Sequence, residues 1–448
     1  RNYLTGHTMI QQIKDKFACY DSETEVLTKS GWKLFKNCTK QDEFAILNDN
    51  FYLEYANPLK LNTYDYSGKM YKLQSKSIDL LVTPNHNLFI AKGNSFGRFE
   101  LGNTKKNDFE LTTYEKYFHK PKRFLKSAKW EGLNISSYTI PGYSYSNYTK
   151  RTGIRNYYKP EKSYEIQTFL SFLGFYTAEG SVSIKKGELS IAVCNDGTLK
   201  ASEEQKNIES IITKMGYPIK KSMCDKPALI YRIYDMVLAK WINENVLHLS
   251  YNKKCPDFIK ELSPELIKIY LKWLYLGDGY KAKTAHTLCT VSKKLSQDVE
   301  ELLLKAGYSF STHTVNPYNN NILEDGVIRR IIGKHLIYRI NWLEKLTDYN
   351  IETKQMRNKS YIEELIDYSG KVYCATVPYN KLFIKRNGKG VWCGNSLRIY
   401  GYFSQEMEDL ISKADKQCQN TCEFCGSNDD VKTTNTSWIR NLCKNCRK

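Results

Sequence analysis

The order of hydrophobic and polar residues divides the chain into segments of different kinds. From Cys19 to about residue 93, apolar residues alternate with polar ones between short turns, which predicts β-strands. From about 160 to 360, long apolar stretches at helical spacing predict helices that are followed by strands. After residue 366 the strand pattern returns and includes a tight NGKG turn. This order indicates an all-β domain that is interrupted by a mixed domain.

Two blocks of the middle segment match each other. SYEIQTFLSFLGFYTAEG and ELIKIYLKWLYLGDG lie roughly 100 residues apart, and each ends in an acidic residue before a glycine, Glu179 and Asp278. Strand-like and then helical sequence follows each block and closes on IITKMGY or LLLKAGY, which predicts an internal repeat. A carboxylate at the end of a helix opposes the helix dipole, so its presence in both halves favours a functional role.

Composition and net charge indicate the kind of partner and the cellular compartment to expect. The formal net charge of +19 over 448 residues predicts a polyanion such as DNA, and a merely soluble basic protein is the alternative. No apolar run approaches the ~18 residues of a membrane span, and no signal peptide pattern opens the chain. We therefore expect a cytoplasmic protein with no membrane partner. Because the chain begins with Arg1, we also expect it to be a fragment.

Basic and aromatic residues are concentrated between about residues 94 and 160, in stretches such as YSYSNYTKRTGIRNYYKP. Lys and Arg suit phosphates, and Tyr suits stacking or packing, which predicts a DNA-contacting extension. A solvated connector explains the same composition equally well.

Cysteines are concentrated at the end of the chain, where CEFC and CKNC have 17 residues between them. This spacing predicts a tetrahedral zinc site in a reducing compartment, whose ligands are Cys422, Cys425, Cys443 and Cys446. Free thiols are the alternative, and a structural zinc with no role in binding nucleic acid is favoured.

Cys19, Asn395 and Ser396 are the residue types that a self-catalysed rearrangement of peptide bonds requires. A Cys thiol can attack the preceding carbonyl, a Ser hydroxyl can accept the acyl group, and an Asn amide can cyclise and cut the backbone. With these residues at both ends of the 19–395 interval, the sequence resembles an intein, a segment that excises itself and joins its flanks. The resemblance implies that Ala18 is ligated to Ser396 without a cofactor.

Further residues carry this resemblance. Thr83 and His86 match the Thr-x-x-His motif of inteins and of hedgehog autoprocessing domains, which implies that they activate the Ala18–Cys19 bond. His86 is expected to hydrogen-bond the scissile nitrogen and to protonate it, with a pKa near neutrality. Cys374, in VYCATV, stands where the family carries Asp or Cys, so it either governs the order of steps or is a small buried thiol.

The sequence departs from the family at the downstream end. Inteins usually place His before the terminal Asn, where this chain has Gly394, and a second common His falls at Lys381. Because both substitutions remove candidates for assisting Asn395, we expect slow splicing with downstream cleavage as the weak step.

The repeat resembles the two-motif LAGLIDADG homing endonucleases, through LGFYTAEG at 173–180 and LYLGDG at 274–279. The resemblance implies that Glu179 and Asp278 meet at a helix pair and hold Mg²⁺, which prefers oxygen ligands. Lys253, in YNKKCPDFI, is the expected catalytic lysine of one half, and Lys359, in RNKSYI, that of the other. The implied partner is double-stranded DNA of the intein-free host allele, cut by a monomer.

Together these resemblances imply a horseshoe-like all-β Hint splicing domain that is interrupted by an α+β, pseudo-two-fold endonuclease. A zinc-ribbon-like C-terminal extein completes the fold. The expected boundaries are 1–18 for the N-extein, 19–140 and 361–395 for the splicing domain, 141–360 for the linker and endonuclease, and 396–448 for the C-extein. The joined flanks resemble small phage and bacterial proteins with a terminal zinc motif, which implies a bacterial or phage-infected cell.

Two other functions fit the same residues. An autoprocessing domain would cleave without ligating, which the glycine at position 394 keeps open. A basic DNA-binding protein with inactive splicing and nuclease sites is the second alternative.

Overall fold

The structure is a computed structural model that describes residues 18–93, 108–149, 153–224, 227–282, 285–317, 319–324, 327–344, 349–351, 356–394, 421–422, 425, 427–433 and 441–446. Asn395 and Ser396 lie outside the described residues, so their expected roles stay predictions. The chain divides into two compact units, Phe17–Leu397 and a unit that combines Arg1–Lys16 with Arg398–Lys448.

The first part of the larger unit is built from strands. In chain order these are β1 (Glu25–Thr28), β2 (Gly31–Leu34), β3 (Phe44–Leu47), β4 (Leu53–Ala56), β5 (Lys60–Gln74), β6 (Asp79–Val82), β7 (Leu88–Lys92), β8 (Phe109–Thr112) and β9 (Lys122–Phe124).

Helices and strands then alternate in the middle of the unit. The first repeat and the strands before it comprise β10 (Ser137–Ile140), β11 (Tyr143–Thr149), β12 (Gly153–Lys159), β13 (Lys162–Glu165), α1 (Ile166–Glu179), β14 (Gly180–Ser183), β15 (Glu188–Cys194), α2 (Leu199–Lys214), β16 (Lys221–Met223), β17 (Ala228–Tyr234) and α3 (Met236–Asn245). The second comprises α4 (Pro264–Asp278), β18 (Gly279–Ala282), β19 (Ala285–Thr290), α5 (Lys293–Lys305), β20 (Ser309–Val315), β21 (Asn319–Glu324), β22 (Val327–Ile332) and β23 (Ile337–Leu343).

Strands form the last part of the larger unit, and two short strands lie in the smaller unit. They are β24 (Tyr349–Ile351), β25 (Ile362–Thr376), β26 (Lys381–Arg386), β27 (Lys389–Gly394), β28 (Lys432–Thr433) and β29 (Asn441–Leu442).

The strands before and after the helices form common sheets. β5 pairs with β25 along its whole length, from Lys60 opposite Thr376 to Gln74 opposite Ile362. A second sheet has the order β2-β1-β26-β3-β4, with β27 paired to β26, and a third has the order β24-β9-β7-β8. The two ends of the larger unit therefore build one all-β frame, as the interrupted strand pattern predicts.

The two sequence repeats adopt the same topology. Their four-stranded sheets have the orders β14-β15-β17-β16 and β18-β19-β23-β20, and the hairpin β21–β22 is inserted in the second. The side chain of Glu165 caps α1 by accepting hydrogen bonds from Gln167 N and Thr168 N. The helices α1 and α4 pack so closely that a Cβ on Gly174 would lie 2.5 Å from Tyr270 O. Glycine is therefore required at this helix contact.

Apolar packing joins the second repeat to the frame. One buried cluster contains Phe310 of β20 together with Phe383 and Trp392 of the β26–β27 hairpin. Phe310 and Phe383 lie with ring centroids 6.1 Å apart, and Trp392 N donates to Leu125 O at 3.0 Å. Within the described ranges, no helix is long and apolar enough to cross a membrane.

Candidate functional site

Cys19 is held by a tight turn that follows β6. Its side chain is fully buried, and its amide nitrogen, which belongs to the Ala18–Cys19 peptide, donates to Thr83 Oγ1 at 2.9 Å. Thr83 N donates back to Cys19 O at 3.0 Å, and His86 N donates to Thr83 O at 3.0 Å. The Thr83–Pro84 turn thus places Thr83 on the Ala18–Cys19 amide and directs the chain back so that His86 lies nearby.

His86 differs from the expectation in two respects. Burial lowers the pKa of His86 to about 3, an effect that the backbones of Gly394 and Ala18 partly offset, so the ring is neutral at physiological pH. The nitrogen of the Ala18–Cys19 peptide donates to Thr83, and among the described residues it has no hydrogen bond with His86. His86 Nε2 lies 3.4 Å from Cys393 Sγ, and within the described part of the chain Nδ1 has no hydrogen-bond partner.

Cys374 lies against Cys19, where β25 passes the turn. The hydrogen bond with Cys19 lowers the pKa of Cys374, and Asn62 Nδ2, 3.9 Å from the sulfur, acts in the same direction. The same thiol contact, followed by burial, raises the pKa of Cys19. Cys374 is therefore the member of the pair that ionises first, and its thiolate accepts the hydrogen bond from the Cys19 thiol.

The last strand of the frame, β27, ends beside the residues that surround Cys19. β27 ends at Gly394, whose carbonyl oxygen accepts a hydrogen bond of 2.8 Å from the Tyr20 hydroxyl. The ring centroids of Tyr20 and His86 are 4.3 Å apart. Sequence reasoning did not identify Tyr20 or Cys393, because neither belongs to a motif; their nearness along the chain to Cys19 and Gly394 is the only signal. Lys381, where the family carries His, lies 3.1 Å from Asp49 instead.

The two acidic residues of the repeat lie at adjacent helix ends. Glu179 is the last residue of α1 and Asp278 the last of α4, and both side chains reach solvent. Partial desolvation is the larger cause of the raised pKa of Glu179, and repulsion from Asp278 is the second. Partial desolvation also raises the pKa of Asp278. Lys253 Nζ donates to Ala178 O at 3.0 Å, and its charge opposes both increases.

Lys253 therefore joins the carboxylates, as the sequence predicts. Burial lowers its pKa, and the charges of Asp278 and Glu179 counteract that shift. Lys359 lies in an exposed turn before β25, and among the described residues no contact joins it to Glu179 or Asp278. The structure thus brings together one of the two expected lysines.

The four tail cysteines meet in the smaller unit. Their sulfur atoms all lie within 4.8 Å of one another, and Cys425 Sγ and Cys443 Sγ are 3.6 Å apart. A tetrahedral Zn²⁺ with Zn–S bonds of ~2.3 Å places its sulfur ligands about 3.8 Å apart. The arrangement of the cluster, Cys422, Cys425, Cys443 and Cys446, therefore fits a four-thiolate zinc site.

Comparison with curated proteins gives two distant relatives. The chain is 24% identical over 495 aligned positions to an ATP-dependent Clp protease proteolytic subunit of Chlamydomonas moewusii, an alignment that covers 87% of the chain and 46% of that protein. It is 23% identical to a DNA-directed RNA polymerase subunit beta C-terminal section of Stigeoclonium helveticum, with 87% and 37% covered. The chain thus spans less than half the length of these relatives. No protein-family model matches the chain.

Solved structures similar to parts of the chain include a split intein and a homing endonuclease. The AceL NrdHF class 3 split intein is 19% identical, with 33% of this chain and 82% of that chain covered and a TM-score of 0.20. The homing endonuclease I-DmoI, in mesophilic variants, is 15% identical, with 40% and 89% covered and a TM-score of 0.28. I-DmoI has also been solved in complex with DNA and Ca. These TM-scores are too low to establish a common fold.

The cysteine cluster predicts one equivalent of bound metal. Titration of the reduced protein with Co²⁺ should give the intense visible absorption of tetrahedral thiolate coordination, saturating at one ion per chain and reversed by Zn²⁺. The Cys446→Ser variant should lose most of this absorption, because one thiolate is missing. Cys194→Ser, at an exposed cysteine outside the cluster, is the matched control and should titrate like the wild type. An unchanged spectrum in Cys446→Ser contradicts the assignment.

Proposed function

We propose that the chain is an unspliced intein precursor that excises residues 19–395, ligates Ala18 to Ser396, and carries a homing endonuclease within the excised segment. The flanking segments, 1–18 and 396–448, are then the two exteins of a small host protein with a zinc site. One observation carries this proposal: the residues of the upstream junction and Gly394, the neighbour of Asn395, lie in one buried site.

The first step of the reaction uses the Cys19 surroundings. Cys374, in its thiolate form, takes up the Cys19 proton as the Cys19 sulfur attacks the Ala18 carbonyl carbon. The Ala18–Cys19 C–N bond breaks as the C–S bond forms, and the released amine takes up a proton. Thr83 Oγ1 holds the amide hydrogen at 2.9 Å and fixes the orientation of the leaving nitrogen. Cys374 returns the proton to that nitrogen, and neutral His86, near the Ala18 backbone, can relay it by accepting a proton at one ring nitrogen as it gives one up at the other.

The later steps follow from the residue types at the downstream junction. The Ser396 hydroxyl accepts the acyl group from Cys19, and the thiol is restored. The Asn395 amide nitrogen then attacks its own carbonyl carbon, which closes a succinimide and releases the Ser396 amine. Transfer of the acyl group from oxygen to this amine leaves an Ala18–Ser396 peptide bond.

The splicing proposal predicts a ligated product of defined mass. Purified precursor that is followed over time by mass spectrometry should yield the free 19–395 segment and the joined flanks. Cys19→Ala should block all products, because no thioester forms, and Asn395→Ala should block the ligated product. Cys38→Ala, at a half-buried thiol outside the site, is the matched control and should splice normally.

Cleavage products without any ligated flank would contradict splicing and favour an autoprocessing domain that only cleaves. No product at all, together with intact DNA binding, would favour the basic DNA-binding protein with inactive sites.

We propose further that the repeat cuts double-stranded DNA at the intein-free host allele. Glu179 and Asp278 offer oxygen ligands at adjacent helix ends, and their raised pKa values favour a nearby cation. They would hold Mg²⁺, which supplies charge stabilisation of the phosphodiester oxygens when bound. Lys253, with a lowered pKa, lies beside them and can hydrogen-bond the water or phosphate. Arg232 and Arg339, on β17 and β23, add positive charge to the two sheets.

The nuclease proposal predicts a metal-dependent double-strand break. The wild type with Mg²⁺ should cut a duplex that encodes the joined flanks and leave a duplex containing the insertion intact. Asp278→Asn should reduce the rate at least about a hundredfold, because a metal ligand loses its charge. Glu203→Gln, at an exposed carboxylate on α2, is the control and should cut normally. Equal rates for Asp278→Asn and the wild type on gel assays would refute the assignment.

The hairpin β11–β12 is proposed as an additional DNA contact. Its strands pair from Tyr143 opposite Lys159 to Thr149 opposite Gly153, and the rings of Tyr145 and Tyr157 stack with centroids 5.3 Å apart. No acidic residue occurs between 143 and 160. A two-stranded ribbon of this kind fits the DNA major groove, and its exposed cations suit phosphates. This interpretation replaces the solvated connector as the favoured one.

The hairpin predicts a change in the salt dependence of DNA binding. Arg155 and Lys159 are exposed, and replacing both with Ala should lower the slope of log affinity against log salt by about 1–2 units. Fluorescence anisotropy with a labelled host-site duplex measures this slope. Replacing the exposed Lys36 and Lys40 of the frame with Ala removes the same charge and should leave the slope unchanged. Equal effects from both pairs would indicate net charge rather than a contact.

A further inference from the structure

The glycine at the downstream junction is imposed by packing. A Cβ on Gly394 would lie 2.4 Å from the backbone oxygen of Asn87 and 2.4 Å from Leu111 Cδ2. Real Cβ atoms do not approach a backbone atom this closely, so β27 can take this path only with glycine as its last residue. An imidazole at position 394, as in the family, has no room in this arrangement.

Gly394 also accepts a hydrogen bond from a residue next to Cys19, at the upstream junction. Tyr20, the residue after Cys19, donates its hydroxyl to Gly394 O at 2.8 Å. Burial raises the pKa of Tyr20 well above its ordinary value, so the hydroxyl remains protonated and remains a donor. The hydrogen bond is fully shielded from water, because Tyr20 has 0% of its surface exposed.

Tyr20 is itself rigidly placed. Its backbone exchanges two hydrogen bonds with Tyr373 of β25, Tyr20 N to Tyr373 O at 2.8 Å and Tyr373 N to Tyr20 O at 2.9 Å. Its ring stacks on Phe35 with centroids 5.1 Å apart and meets the edge of His86 at 4.3 Å. A hydroxyl that is fixed in this way can impose an orientation on the carbonyl that it binds.

We propose that Tyr20 is the positioning residue of the downstream junction and takes the place of the absent histidine. Because the peptide group is planar, the direction of the Gly394 carbonyl sets the direction of the bond that leads into Asn395. Tyr20 thereby holds the peptide plane from which the cyclisation of Asn395 starts. Since Tyr20 adjoins Cys19, this contact also links the geometry of the two junctions.

This inference rests on the proposed splicing function, and its test separates the two. In the precursor, the rate of upstream thiolysis by added dithiothreitol reports the Cys19 thioester, and succinimide formation at Asn395 reports downstream cleavage by mass spectrometry. Tyr20→Phe retains the ring and removes the donor. It should slow downstream cleavage about tenfold, the effect of one buried hydrogen bond, and change thiolysis less than about twofold.

Two further variants test whether the effect is specific to the contact between Tyr20 and Gly394. Tyr270→Phe removes a similarly buried hydroxyl, which donates to Thr177 Oγ1 at 3.2 Å between the two repeats, and should leave both rates unchanged. Gly394→His should slow downstream cleavage rather than restore it, because its Cβ collides with the Asn87 backbone.

The outcomes are distinct. A selective loss of downstream cleavage in Tyr20→Phe supports the positioning role. Equal losses of both rates, no loss, or faster downstream cleavage in Gly394→His would overturn it. If the wild type itself gives no thiolysis product, the splicing function fails, and this inference fails with it.

Discussion

The antiparallel pairing of β5 with β25 is the constraint on which the rest of the larger unit depends. It joins 15-residue strands that lie on opposite sides of the inserted repeat, from Lys60 opposite Thr376 to Gln74 opposite Ile362. Because the register of paired strands fixes which residues meet, this ladder sets Cys374 opposite Asn62. The bridge between Tyr20 and Tyr373, the residue before Cys374, then brings Cys19 beside Cys374.

Charged groups buried between the frame and the second repeat make these parts interdependent. Lys385 of β26 lies 2.8 Å from Glu300 of α5 and 3.2 Å from Glu25 of β1, and Thr312 donates to Glu300 at 2.6 Å. Removing one partner of a buried pair typically costs about 3–5 kcal/mol. The β26–β27 hairpin is therefore supported by the second repeat, so the frame and the inserted repeat stabilise each other.

Sequence patterns predicted helices and site residues well where residue type and short-range sequence order determine them. The matching blocks around Glu179 and Asp278 became two helices that end at those residues, and Lys253 lies beside them, although it is 75 positions from Ala178, whose carbonyl it binds. Lys359 shows the limit of a short motif, since its exposed turn has no described contact with the carboxylates. The pKa of His86 could not be predicted either, because burial and not the imidazole itself lowers it to about 3.

The sequence by itself determined the candidate nucleophiles, the Thr83–His86 turn, the repeat and the spacing of the tail cysteines, because each of these depends on residue type and short-range order. Only the tertiary structure decided what surrounds Gly394. The Asn87 backbone and Leu111 exclude any side chain at position 394, and Tyr20 supplies a hydroxyl from the opposite end of the frame. The Tyr20–Gly394 hydrogen bond joins residues 374 positions apart, and only the packing of the folded chain brings them together.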